Sequence, residues 1–327
     1  MDVLKNSIAS TKEIKKLVSV YTNQFSYGEF MKNTFKTSIG GQALIEGIMM
    51  KGPSKTAIAV RKPNGEIELK IDNNFSIADK FPIFKLPILR GAVKLIEAMV
   101  VGLKAMTYSA SFWDDDEGNS LSNKEIILTL LLSVGMTIVF FILLPNLIAS
   151  GLQKFTDSIF VLNLIEGILR ILVFFIYLVY ISKIDDIYRV FQYHGSEHKS
   201  IHCYEHGDEL TVENVQKYPL EHPRCGTSFL FMVLAVSIIV LSFFGWPNPF
   251  LRILIRILMF PVIAGIAYEI NRWIGKSDSA LSKLLRRPGL YIQKIATVKD
   301  PDPDQIEVAI ASLKAVLPEE GENDRWM

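Results

Sequence analysis

Four long apolar runs decide most of what this chain can become. They are residues 126–149 (IILTLLLSVGMTIVFFILLPNLIA), 158–182 (SIFVLNLIEGILRILVFFIYLVYIS), 227–245 (TSFLFMVLAVSIIVLSFFG) and 250–270 (FLRILIRILMFPVIAGIAYEI). A helix that crosses a bilayer needs roughly 20 predominantly apolar residues. One such run can be the core helix of a soluble protein. Four in a chain that is half hydrophobic, with a mean hydropathy of +0.27, point to a mainly α membrane protein with about four transmembrane helices.

The loops orient the spans. The link at 151–157 holds only Lys154, and WPNP between the third and fourth runs holds no cation. The connection 183–226 carries Lys183, Arg189, Lys199, Lys217 and Arg224, and the segment after the last run carries six further lysines and arginines up to Lys294. Basic loops stay cytoplasmic. The expectation is a multi-pass cell-membrane protein with the 183–226 loop and both termini in the cytoplasm. The first 38 residues show no signal-peptide-like apolar core, in line with a cytoplasmic N-terminus. A net charge of +1 without a long basic run gives no reason to expect nucleic acid, and two cysteines are no disulfide framework.

The spans divide the chain into 1–125, a membrane helix pair at 126–182, the loop 183–226, a second pair at 227–270, and a C-terminal region 271–327. The first region reads as small, mixed α/β and cytoplasmic. TAIAVRKPNGEIELK alternates around Pro63-Asn64-Gly65 as a β-hairpin does. Residues 87–110 have a helical pattern with Leu89, Val93, Ile96, Val100 and Leu103 on one side. Lys94, Glu97 and Lys104 favour a membrane-associated helix over a fifth span. The acidic WDDDEGNS follows as a loop. Near the other end, DPDPDQIEVAIASLKAVL starts and caps an amphipathic helix whose buried face holds Ile306, Ala309, Ile310 and Leu313.

The chemistry concentrates in YHGSEHKSIHCYEHG, residues 193–207, and in EHPRCG just beyond. All five histidines and both cysteines of the chain fall there, within about a tenth of its length. On a helix, His194 and His198 share one face and could share one divalent metal ion, zinc being the first choice. Glu197 lies beside them as a general base, in the H-x-x-E-H order of inverzincins. His202 continues the stripe as a ligand or its supporting partner, and His222 and Cys225 offer further donors three residues apart. Cys203 reads as a small buried residue. Within the spans, Glu166 and Arg256 fall at similar depths, roughly 12 and 9 Å from the outer side. They are expected to pair, since an isolated charge there is expensive.

These stretches, with IGGQALIEGIMMKGP, AVRKPNGEI, LTVENV, HPRCGTSF and RRPGLYIQKIATVKDPDPDQIEVAIASL, resemble the YqhQ family of bacterial membrane proteins over roughly residues 36–316. That family is described as predicted metal-dependent enzymes, so the resemblance implies a metal but no reaction and no catalytic residue. It draws attention to Glu46, a carboxylate among apolar residues: either it is a strand-edge or surface glutamate, or it or Gln42 meets the histidine loop on the cytoplasmic face.

Three functions compete. The first is a metal-dependent hydrolase acting on a lipid-linked or membrane-protein substrate, with His194, His198 and one of His222 or Cys225 holding the ion. The second is a metal-stabilised scaffold or assembly factor. The third is a small transporter using Glu166, Arg170 and Arg256. The bilayer is a partner in all three, and a homo-oligomer is compatible with each.

Overall fold

The computed structural model describes residues 35–113, 123–156, 158–245 and 247–326. Residues Thr37–Met327 form one compact unit. The polar N-terminus up to residue 34, and the acidic stretch from 114 to 120, lie outside the described residues.

The expected hairpin is half of a four-stranded antiparallel meander: β1 (Gly40–Leu44), β2 (Gly47–Lys51), β3 (Lys55–Arg61) and β4 (Ile67–Asn73). Gly65 adopts the left-handed φ of +86° in the turn between β3 and β4. Alternation sends Leu44, Met49, Ile58 and Val60 to one face, where they close a core with Ala105 of α1 (Leu89–Ala110). The other face turns towards two later helices.

Helix α1 matches the expected 87–110, but its apolar stripe is not what it packs with. Its buried residues are Gly91, Gly102, Ala105 and Ser109, whereas Leu89, Ile96, Val100 and Leu103 stay exposed. Small residues let neighbouring backbones approach. Gly265 of a later helix leaves no room for a Cβ beside the Ile88 carbonyl, and a Cβ on Gly91 would lie 2.6 Å from Tyr268.

The apolar runs become α2 (Asn123–Ile138) with its continuation α3 (Leu144–Gly151), then α4 (Ile159–Ile181), α7 (Gly226–Ser242) and α8 (Pro249–Lys276). Three described helices are long and apolar enough to cross a membrane: Ile127–Lys154, Ile159–Ile181 and Phe250–Lys276. Helix α7 is apolar but shorter, at 17 residues. It packs against both α4 and α8, where Met232 and Val236 meet Ile263 and Ala267.

A π-helical turn, Val139–Leu143, joins α2 to α3 ahead of Pro145. Proline has no N–H to give the carbonyl four residues back, which is that of Phe141. Arg170 Nε of α4 donates to that oxygen instead, at 3.0 Å. Arg170 also reaches Glu166 (3.0 Å), and Arg256 of α8 pairs with the other oxygen of the same carboxylate. Glu166 and Arg256 thus meet, with Arg170 as a third member.

The segment expected as a loop from 183 to 226 is largely helical. It holds α5 (Asp185–His206) and the short α6 (Val212–Gln216). Asp185 and Asp186 favour the α5 N-terminus, and Gly207 ends it at φ +77°. A turn at 182–184 separates α5 from α4, so the histidine helix does not continue the long apolar one. After α8 come α9 (Ala280–Ile292), a π-helical turn Gln293–Thr297, and α10 (Pro303–Lys314). Helix α10 begins with a capping box between Asp302 and Gln305, and it buries Ile306, Ala309, Ile310 and Leu313 as its sequence pattern requires. Helices α10 and α5 lie against the second face of the sheet.

Candidate metal centre

Helix α5 is buried along its last three turns although its composition is polar: Glu197, His198, His202 and Glu205 are all enclosed. Burying so many polar groups is tolerable only if they are satisfied by partners. Those partners come from four directions: the sheet, the 217–225 connection, the N-terminus of α7, and the segment after α9.

Backbone carbonyls fix two of the imidazoles. His194 Nδ1–H donates to Thr297 O at 2.7 Å, and His198 Nδ1–H donates to Leu220 O at 2.6 Å. Each ring therefore presents Nε2 as its lone-pair atom. His194 Nε2 lies 3.1 Å from Cys225 Sγ. His198 Nε2 is buried without a hydrogen bond of good geometry. One ligand atom from each of His194, His198 and Cys225 fits within 4.8 Å of the others. A carbonyl on the far nitrogen is how metal-binding histidines are held in one tautomer and orientation.

Cys225 is the N-cap of α7, and its sulfur accepts from Thr227 N at 3.4 Å. Burial pushes the thiol up, but His198 and Thr227 outweigh it and hold the group below the usual range. The same burial depresses the His198 imidazolium to about 4. Both shifts favour the deprotonated forms that ligate metals. His194 is only partly buried, so it marks the edge from which solvent reaches the trio.

Glu197 is wedged between the trio and the sheet. Its Oε1 accepts from Gly41 N of β1 at 2.8 Å, and its Oε2 is buried with no hydrogen bond. Burial raises its carboxyl to about 7; His194 pulls against that shift and Cys225 adds to it. Such a carboxyl can carry or release a proton near neutrality.

His202, Glu205 and His222 make a second trio within 4.8 Å. The His202 and His222 rings lie 4.7 Å apart, and His222 is 5.5 Å from His198. This trio already has its cation. Arg224 forms an ion pair with Glu205 Oε1 and approaches His222 Nε2 to 3.3 Å, while Thr37 N donates to Glu205 Oε1 at 2.7 Å. His202 Nε2 donates to Glu221 O. Burial and Arg224 both drive the His222 imidazolium well below its ordinary range. Gln293, in the π-helical turn, grips His222 from both sides of its backbone, at 2.8 and 3.0 Å.

These positions can be set beside known proteins. Residues 86–319 match a family described as a protein of unknown function, DUF1385. The chain belongs to the DUF1385 family. The Uncharacterized protein YqhQ of Bacillus subtilis (strain 168) is 33% identical over 305 residues, which cover 88% of this chain and 94% of that one. This is the likeness that the sequence motifs carry. No solved structure matches the chain.

Every donor of both trios falls inside the DUF1385 match, whereas the strand that supplies Gly41 to Glu197 precedes it. Of the two alternatives for a third donor beside His194 and His198, the structure brings Cys225 and not His222. His202 and His222 stand with Glu205, a residue that spacing alone did not single out. Glu46 occupies the two-residue turn between β1 and β2 at φ +48°. It pairs with Arg189 of α5 and accepts from Tyr193 OH at 3.1 Å, so it ties the sheet to the helix without touching the histidines. Gln42 points to the other face, against Gly102 of α1. Cys203 is buried on its own, its thiol lifted to about 11, chiefly by burial.

Proposed function

We propose that this DUF1385 protein is a membrane-embedded, metal-dependent enzyme of the hydrolase type, its ion held by His194, His198 and Cys225. One observation carries the reading: two carbonyls commit both Nδ1 atoms, leaving two Nε2 lone pairs and a sulfur converging in a buried space. Two imidazoles and a thiolate suit zinc among the divalent ions. A zinc ion there supplies Lewis acidity and lowers the pKa of water.

The chain's own residues do the rest. Thr297 and Leu220 orient the ligands. Gly41 N–H fixes one oxygen of Glu197, leaving Oε2 to take a proton from a nucleophile and return it to a leaving group. Burial, with Arg224 beside them, keeps the neighbouring histidines neutral. We place the centre on the cytoplasmic side of four spans, with α7 as the short one. Its 17 residues reach about 25 Å, a few ångströms less than a typical hydrocarbon core. The substrate class that fits a site beside the bilayer is lipid-linked or membrane-protein.

Elemental analysis of purified protein beside a His194→Ala/His198→Ala variant tests the reading. About one transition metal per chain, lost in the variant, is expected. Negligible metal in both after reconstitution with zinc, iron and manganese would sink it. Glu197→Gln separates the enzyme from a metal-stabilised scaffold. It should keep the metal and lower turnover of chromogenic ester or amide substrates by about 10²- to 10⁴-fold. Metal loss as complete as in His198→Ala would make Glu197 a fourth ligand and close the site.

A further inference from the structure

Across the sheet from the histidines lies a cavity of about 460 Å³, between the β2–β4 face and one side of α1. Strand register builds its floor. Lys51, Thr56 and Asp72 form one cross-strand row, and Ile58 and Lys70 stand in the next. The opposite wall repeats every four residues along α1: Ile96, Val100, Lys104 and Tyr108. Most of its surface is aliphatic and aromatic, and Lys51, Lys70 and Lys104 are among its lining residues.

The charges are not balanced among themselves. Lys70 is 3.4 Å from Asp72 and also lies over the Tyr108 ring. Glu97 is committed to Ser76 Oγ and Ile77 N, at 3.1 and 2.6 Å. Lys51 and Lys104 have no acidic partner among the described residues. Three lysines against two carboxylates leave a net charge of +1 around an otherwise largely apolar interior.

Its surroundings say where a ligand would come from. Ile96 and Val100 line the cavity and are also about half exposed, next to Met99 and Leu103 on the outer side of α1. The start of α1 packs on α8, one of the helices long and apolar enough to cross a membrane, through Arg90 and Glu269 and through Gly91 against Gly265. So the cavity shares a wall with the partly exposed apolar side of a helix whose start packs on such a helix.

We propose that this cavity binds a single anionic phospholipid drawn from the bilayer, with one of its two acyl chains between Ile58 and Val100 and its phosphate at Lys51 and Lys104. The occupant is a chain with a negative head because an apolar pocket selects the chain and a pair of free lysines selects the charge. The sheet separates this site from Glu197, so it stands whether or not the metal centre is an enzyme.

The test uses the full-length protein in detergent with phosphatidylglycerol carrying a diazirine on one acyl chain, followed by peptide mapping. Labelling is expected within 96–108 and at β3. Unlabelled phosphatidylglycerol should compete and phosphatidylcholine should not. Lys51→Gln/Lys104→Gln should weaken it by at least about fivefold. Neither lysine is buried, so the variant is expected to fold; an unchanged melting temperature checks this. Labelling that is equal with a phosphatidylcholine probe, indifferent to the substitutions, or confined to Met99 and Leu103 would overturn the proposal. It would describe a helix resting in the membrane over a cavity closed to lipid.

Discussion

Glu166→Gln is expected to destabilise the protein by about 3–5 kcal/mol, the usual result of removing one member of a buried ion pair. Glu166 is 2% exposed and accepts from both Arg170 and Arg256. Glutamine can still accept a hydrogen bond, but it leaves two guanidinium groups among apolar helices without a counter-charge. The effect should appear as a lower midpoint in thermal unfolding of the detergent-solubilised protein. Replacing all three together, as Glu166→Leu/Arg170→Met/Arg256→Met, should recover most of the loss, because a buried ion network can be exchanged for apolar packing at little net change. Arg170 also serves the Phe141 carbonyl, so the recovery should fall short by about the contribution of one hydrogen bond, on the order of 1 kcal/mol. A single Glu166→Gln variant as stable as the parent would mean that lipid or water reaches these arginines.

Gly195→Ala should lower stability by about 1–3 kcal/mol and weaken metal retention with it. In the interior of an ordinary helix the same change stabilises by roughly 1 kcal/mol, so the sign itself is informative. At Gly195 a Cβ would collide with the Lys299 carbonyl, in a segment pinned to α5 by Lys299 N donating to Phe191 O at 2.9 Å. Relieving that clash moves residues 297–299 away from the helix and takes Thr297 O from His194. Gly226→Ala is the matched control, since no atom lies within 4 Å of its added methyl. Equal melting temperatures and equal metal content for both variants would refute the coupling between this contact and His194.

Much of this architecture is legible in the chain, and the parts that are not share a cause. Apolar runs and the four-residue spacing of His194, His198 and His202 are local patterns, so the long helices and the histidine stripe can be read directly. The amphipathic face of α10 is legible for the same reason. What sequence leaves open is which distant group meets which. Glu205 and Arg224 look like ordinary surface charges until folding encloses them together. Gly41 becomes a partner of Glu197 only because β1 lies along α5. The exposed stripe of α1 shows the converse. Its periodicity is genuine, but small residues on the opposite side do the packing, and periodicity alone does not say which side is covered. A proline at 145 hints at a freed carbonyl; that an arginine 25 residues later fills it depends on the crossing of two helices.

On the proposed membrane reading, the ion cluster among the long apolar helices also bears on how the chain is made. Arg170 and Glu166 emerge from the ribosome long before Arg256, which follows Glu166 by 90 residues. An arginine near the middle of an inserting helix carries a penalty of about 2.5–3.5 kcal/mol on translocon scales. The early pair α2–α4 would soften that penalty through the Phe141 carbonyl and the Glu166–Arg170 contact, and it would wait in that state for α8. Insertion of the first helical hairpin would then be tied to completion of the last, and a chain halted before residue 256 would not yet have closed its charges.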